Sequence, residues 1–380
     1  MDVDSGKPSD TEQFEVIDEG FIYRADADDP PKAAVGSRCA LTNSGEVVCS
    51  FMATSALGVN DFVPMLSWSL DGGQTWSEVK PIWPELEGKF SITASISQSQ
   101  DGELFLFGSR TPIDKSGEPF WSPETLGAKQ NELIWARSND GGHNWSLPQP
   151  FSIPLAGAAE APAPLCVTRS GRWLAPYSPS PTFDPDLDVD RGHVVVMISD
   201  NQGESFHHAS MLSFTQNNSG AGESWVIELA DGRLLATCWQ FNLGEGDDFP
   251  NPYVISEDQG NTWGPTCYSP IMGQSTALAA LPDGRALFVY NQRVHDVPGI
   301  WLAVVNPTNS DFGIEAHQII WRAETPTQSG SSGCHEQWDD FAFGEPSITW
   351  LPDHTLLATL WCQQPSGHGI RFVKLKVDAI

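Results

Sequence analysis

The phrase S-L-D-G-G-Q-T-W, Ser69 to Trp76, constrains this chain more than any other stretch, because it recurs. S-N-D-G-G-H-N-W runs from Ser138 to Trp145 and S-E-D-Q-G-N-T-W from Ser256 to Trp263. A degraded copy, S-D-N-Q-G-E-S-F, covers Ser199 to Phe206. Each copy ends an apolar run, and the spacing of roughly 60 residues is that of a repeat architecture. Asp and Ser or Thr side chains can bond to nearby backbone, Gly supplies a tight bend, and Trp can pack beneath. The boxes therefore read as structural turns between outer strands.

A second element keeps the same beat. Alternating apolar segments flank a tight turn at Gly45, Gly102, Gly171, Gly232 and Gly284, and again at His354 in L-P-D-H-T-L-L. Asp-Gly between such segments is a strong hairpin signal, since both turn residues tolerate positive φ. Helical periodicity is scarce. Six hairpins 52 to 70 residues apart predict six similar antiparallel sheets. Radial repetition of four-stranded sheets leaves few exposed edges, so the expected fold is all-β, a six-bladed β-propeller. One domain over residues 14–380 is expected, with residues 1–13 a disordered tail.

The formal charge of −29 opposes nucleic-acid binding, which depends on neutralising phosphates with Lys and Arg, and equally opposes anionic membranes. No apolar run approaches the roughly 20 residues of a membrane span. The first ten residues have neither the basic nor the apolar part of a secretory signal. A cytoplasmic location is expected for the chain as given, and a secreted or periplasmic one if a leader has been removed. The seven cysteines are scattered singly without C-x-x-C, which favours neither a zinc site nor a disulfide framework. No cofactor and no metal is expected. The acidic run Asp184 to Asp190 lacks the central Gly and terminal Glu of a calcium loop.

Inner strands of a propeller converge at one end of its channel, the default ligand site. Counting back nine residues from the turn gives Glu223 in the fourth copy and Glu345 in the sixth. Glu160 lies eleven back in the third copy and Arg38 seven back in the first. Even offsets keep side chains on one face of a regular strand. These strands are otherwise apolar, and a carboxylate buried there needs a partner or a task. Trp225 lies two residues past Glu223. Trp338 and His335 sit in the long segment before Glu345, with Glu336, Asp339 and Asp340. Aromatic rings stack on the apolar faces of sugars, so Trp239 and Trp338 are the favoured candidates for ligand contact, with Trp225 a further one.

The pattern S-x-D-x-G-x-T-W resembles the Asp-box, or BNR repeat, of the sialidase (neuraminidase) superfamily, whose fold is a six-bladed β-propeller. The resemblance runs over roughly residues 20–380. It implies that Glu223, in G-E-S-W-V-I-E-L-A-D-G-R-L-L, matches the glutamate that assists the sialidase nucleophile. It also places Glu345 where sialidases carry a nucleophilic tyrosine, and makes Asp61 the nearest counterpart of their acid/base aspartate. The departures are equally informative. Sialidases hold a substrate carboxylate with three arginines. Here Trp239 and Val35 stand at two of those positions, Arg38 is out of register, and Arg293 is the candidate for the third. A phenol suits a substrate whose anomeric carbon bears a carboxylate, which repels a second one by about 4 kcal/mol at 4 Å. A glutamate suits a sugar without it.

Together these features predict an exo-acting glycoside hydrolase that cleaves a terminal, uncharged or weakly charged sugar other than sialic acid. Glu223 and Glu345 are the preferred carboxyl pair, with Glu160 or Asp61 as third. Arg38, Trp225, Trp239, Arg293, His335 and Trp338 are the expected substrate-binding residues. The expected partner is an oligosaccharide or glycoconjugate. An exo-α-sialidase with an altered arginine clamp and a non-catalytic glycan-binding propeller are the alternatives, and a polysaccharide lyase is more distant.

Overall fold

The computed structural model describes residues 14–25, 33–216, 218–244 and 246–377. The expected tail at residues 1–13 lies outside them. Six antiparallel sheets form a ring, as the repeat predicts. The first is built from Ala33–Leu41, Val47–Thr54, Val63–Ser69 and Lys80–Pro81, in that order from the channel outward. The second takes Phe90–Gln98, Leu104–Pro112, Glu132–Ser138 and Gln149–Phe151. The fourth and fifth repeat the plan, with inner strands Ser219–Glu228 and Thr276–Ala280.

The third sheet departs from it. Its inner strand is split into Ala158–Glu160 and Cys166–Val167, both paired to Trp173–Ser180. Pro162 and Pro164 lie in the gap, and proline has no N–H to give the ladder. The sixth sheet closes the ring. Phe343–Trp350, Thr355–Gln364 and Gly367–Val377 are joined by the N-terminal strand Phe14–Arg24 as outermost member, with Phe14 opposite Val377. Strands from the two ends of the chain thus share one sheet. Apolar clusters fill the spaces between adjacent sheets, for example Val48, Ile92, Leu104 and Ile134 between the first and second.

All six hairpin turns use positive φ at the predicted residue, from 84° to 96° at the five glycines and 61° at His354. The boxes also fold as read, between the third and outermost strands. Asp71 Oδ1 accepts the amides of Gln74 (3.0 Å) and Thr75 (2.9 Å) while Ser69 Oγ accepts the Gly73 amide (2.8 Å). Trp76 Nε1 donates to Gly73 O at 3.1 Å. The boxes at Asp140 and Asp258 repeat the Ser-to-Gly amide bond and the Asp bond to the amide four residues on. Among the described residues the Trp bond recurs at Trp145 but not at Trp263, and in the degraded copy Asn201 and Ser205 stand in for Asp and Thr.

Hydrogen bonding by the Thr75 hydroxyl and amide holds the Asp71 carboxyl down to about 2. A carboxyl depressed in the folded state stabilises fully above its unfolded pKa, and that contribution is lost as pH falls from about 4 to about 2. We predict that Asp71→Ala lowers stability by about 1–2 kcal/mol at pH 7, read from the urea midpoint. The difference from wild type should shrink on approach to pH 2, and any activity should be unchanged. A deficit that is independent of pH would show that the carboxylate bonds are not its source.

Candidate functional site

The residue nine positions before each turn is Gly36, Thr93, Pro162, Glu223, Ser275 or Glu345, one per sheet. Five of the six line a single cavity of about 210 Å³ at the channel mouth, and a Cβ on Gly36 would lie 3.8 Å from Glu345 Oε1. In three sheets this residue takes left-handed backbone, with φ of 65° at Gly36, 53° at Glu223 and 44° at Glu345. The strand ladder skips at the same places, between Val35 and Arg38, Gly222 and Trp225, and Gly344 and Ser347. These are β-bulges, which re-aim a side chain at the cost of ladder pairing. A glutamate at positive φ is strained by about 1–3 kcal/mol, and such strain concentrates at functional sites.

Three sequence-predicted glutamates meet in the cavity wall: Glu160, Glu223 and Glu345. Each is anchored differently. Glu160 accepts the Glu223 amide with both oxygens, at 3.2 and 3.1 Å. Glu345 lies against the Gly36 backbone and in the field of Arg38 and Arg293. A carboxylate on the third sheet thus caps the bulge amide of the fourth, and Glu345 of the sixth sheet sits beside the corresponding bulge of the first. Glu223 has no such anchor among the described residues, where its buried Oε2 finds no partner.

Burial raises all three carboxyls. Glu160 is pushed up to about 8, with Glu345 adding to the rise and the Glu223 amide opposing it. Glu223 goes well above the usual range through burial and the charges of Glu345 and Glu160. Glu345 is also raised by burial, but Arg38, the Gly36 amide and Arg293 pull it back. The environments thus push the three apart, which is how acid and base roles become separated.

The two expected arginines are turned to other uses. Arg38 is 2% exposed beneath the cavity, where it donates to Glu345 O (2.9 Å) and Ser37 O (2.8 Å) and lies 5.0 Å from the Trp225 ring. Its Nε and Nη2 have no partner among the described residues. Arg293 does line the cavity, but its Nε and Nη2 bind Phe343 O at 3.0 and 2.7 Å and its Nη1 binds Gln274 Oε1 at 2.8 Å. Trp225 is buried in the core and does not line the cavity. Asp61 is not brought in either. Its Oδ1 accepts from Thr54 Oγ1 (2.5 Å) and Ser55 N (3.2 Å), closing a local turn.

Trp239, His335 and Trp338 do line it, and they belong to a roof that the sequence did not reveal. His335 stacks on Phe241 at 3.6 Å and meets Trp239 and Trp121 edge-on. Phe120 and Trp121, from an excursion inside the second sheet, meet Trp338 at 6.2 and 6.4 Å. That excursion is tied to the first sheet through Phe120 N to Gly58 O (2.8 Å) and Asn60 N to Glu118 O (2.9 Å). Burial and the charge of Arg191 hold His335 at about 3, so it is neutral. Glu336 accepts the Gly244 amide and Asp340 binds Ser329, and neither lines the cavity. Among the described residues no three His, Cys, Asp or Glu side chains are grouped to hold a metal ion.

The six-bladed propeller architecture is one that solved structures share, sialidases among them. A protein of unknown function from Dyadobacter fermentans superposes with a TM-score of 0.74 at 19% identity, covering 97% of this chain and 100% of that one. The Hadza microbial sialidase Hz136 gives 0.65 at 17% identity over 94% and 68%. The Penicillium chrysogenum α-L-arabinanase complexed with arabinobiose gives 0.59 at 12% identity over 95% and 98%. At such identities the likeness is one of fold. No protein-family model matches the sequence, and no curated protein matches it.

Left-handed backbone at Glu345 and Glu223 generates a prediction. Replacing either by Ala keeps a Cβ at positive φ, whereas Gly removes the strain. We expect Glu345→Gly and Glu223→Gly each to be about 1 kcal/mol more stable than the matching Ala variant in urea unfolding. Equal stabilities would mean that the bulges relax on substitution. Glu160 generates another. Its raised pKa means that the folded state holds a proton the unfolded state gives up, so stability falls as pH rises from about 4.5 to about 8. Glu160→Gln should lessen that fall. Parallel stability curves for variant and wild type over this range would refute it.

Proposed function

We propose that the chain is an exo-acting glycoside hydrolase that removes a terminal sugar other than sialic acid. What carries this reading is the convergence of Glu160, Glu223 and Glu345 on one roofed cavity, two of them at strained bulges. Glycoside hydrolysis needs one carboxyl to donate a proton to the leaving oxygen and another to attack or to activate water. Glu223, strongly raised and with Oε2 unengaged, suits the acid. Glu345, beside two guanidiniums and a backbone amide, suits the carboxylate that faces the anomeric carbon. Glu160 holds the Glu223 backbone and, protonated at neutral pH, limits the negative charge around the pair.

Roof and volume support exo action, since Trp121, His335 and Trp338 cover the space around the carboxyls. The fold neighbours that are sialidases and an arabinanase support glycosidase chemistry in general. An altered sialidase clamp is the weaker reading, because both arginines inherited from that expectation already bind backbone carbonyls.

A panel of aryl glycosides tests the proposal. Wild type should release the aryl group from at least one, and Glu223→Gln and Glu345→Gln should each lower kcat by about 100-fold or more. Glu223→Gln should be rescued in part on substrates whose leaving group needs no proton. No turnover on the whole panel, with sugar binding retained in Glu223→Gln, would indicate a glycan-binding propeller instead.

A further inference from the structure

Arg191 is a half-buried arginine in the cavity wall that the roles above do not use. It ends the segment D-P-D-L-D-V-D-R, whose aspartates Asp184, Asp186, Asp188 and Asp190 are all exposed. Four carboxylates lie within seven residues of it in sequence, yet among the described residues Arg191 forms no ion pair and no hydrogen bond. Asp190 instead faces His193 at 3.5 Å. Burial alone brings the Arg191 guanidinium down to about 10, with no carboxylate near enough to oppose the drop. A cation left unpaired while partly desolvated is costly, and an arginine with a choice of surface carboxylates has a cheaper place to be.

The same end of the cavity holds a second unanswered donor. Trp121 Nε1 is buried without a partner, and its ring meets His335, which in turn lies in the field of Arg191. His335 is neutral there and adds no competing charge. Glu160, by contrast, is bonded to the Glu223 amide, so these two donors are not spent on the carboxyls.

We propose that Arg191, with Trp121 Nε1, binds an anionic group on the terminal sugar at a position away from its anomeric carbon. The substrate is then an acidic hexose, carrying a hexuronate carboxylate or a sulfate ester. A planar guanidinium fork recognises either group through paired N–H donors. Held at the roof, the acid leaves the anomeric carbon free to face Glu223 and Glu345 without a carboxylate on that carbon. This deepens the proposed hydrolase reading and rests on the cavity being a sugar site, but it assigns binding and not catalysis.

Tryptophan fluorescence gives the test, with Trp121, Trp239 and Trp338 as reporters, and it needs no turnover. D-glucuronate, D-galacturonate, D-glucose 6-sulfate, D-glucose, D-galactose and N-acetylneuraminate are titrated into wild type, Arg191→Met, Arg191→Lys and Glu223→Gln. At least one uronate or the sulfate should bind wild type about 10-fold or more tighter than the neutral sugars, and which of them does so distinguishes carboxylate from sulfate. Arg191→Met should abolish the preference, Arg191→Lys should restore part of it, and Glu223→Gln should keep it. Circular dichroism should show Arg191→Met folded, since the side chain holds no part of the structure. Equal binding of neutral and acidic hexoses, an unchanged preference in Arg191→Met, or tightest binding of N-acetylneuraminate would each overturn the proposal. Failure of hydrolysis on aryl glycosides with the Arg191-dependent preference intact would remove the hydrolase reading and leave this one standing.

Discussion

The fixed distance between each inner-strand turn and the residue nine positions upstream organises this molecule. A turn at positive φ sets the register of its hairpin, and the register sets which residue reaches the channel mouth. Because the ring repeats that geometry six times, residues more than 100 positions apart in sequence, Glu223 and Glu345, arrive in one cavity. The boxes lie at the other side of the first four sheets, between their outer strands, and their side chains are spent on local backbone. Turn chemistry on the periphery and acid chemistry at the mouth are therefore separable, and substitution in one leaves the other's atoms untouched.

Such a mouth is electrostatically expensive. Three carboxyls share a space with two buried guanidiniums, and like charges at about 4 Å repel by about 4 kcal/mol at an effective dielectric of 20. Protonation relieves most of it: burial keeps Glu160 and Glu223 neutral to higher pH than free carboxyls. Arg38 supplies the remainder without touching a carboxylate. Its bonds go to carbonyls, two of its nitrogens stay unpartnered, and its charge acts on Glu345, Glu223 and Glu160 through space. Removing it would leave the trio to Arg293 and to protonation, and Glu345 would be raised further.

Fold and glutamates were legible in the sequence because both depend on short-range rules. Box and turn residues announce their own backbone conformation, and a count from the turn finds Glu223 and Glu345. Strand alternation then failed where the strand is irregular. Trp225, two residues past Glu223, should share its face, but the skip between Gly222 and Trp225 turns it into the core. Arg38 is displaced beneath the cavity by the equivalent skip after Val35. Glu160 reached the site for a reason parity does not contain, since its strand is broken by prolines and its carboxylate is placed by the Glu223 amide. Asp61 looked like an acid because of its position in a loop, and the loop uses it to bind Thr54 and Ser55. Arg191, Phe120 and Trp121 carried no signal at all. Excursions of variable length bring them over the mouth, and nothing in their local pattern states where such excursions go.

The two walls of the cavity are chemically opposite, and that asymmetry argues for a sugar more than either wall does alone. On the strand side lie carboxyls set against backbone amides, suited to hydroxyls and to a glycosidic oxygen. On the loop side lie the rings of Phe120, Trp121, Trp239 and Trp338, packed edge to face with one another or with His335, around a neutral His335. A hydrocarbon ligand would leave the carboxyls desolvated and unanswered, and a small ion would leave the rings without a surface to cover. A pyranose or furanose offers hydroxyls at its edge and C–H groups on its face. A sugar of the proposed kind would answer both walls at once, with its anomeric carbon turned toward Glu223 and Glu345.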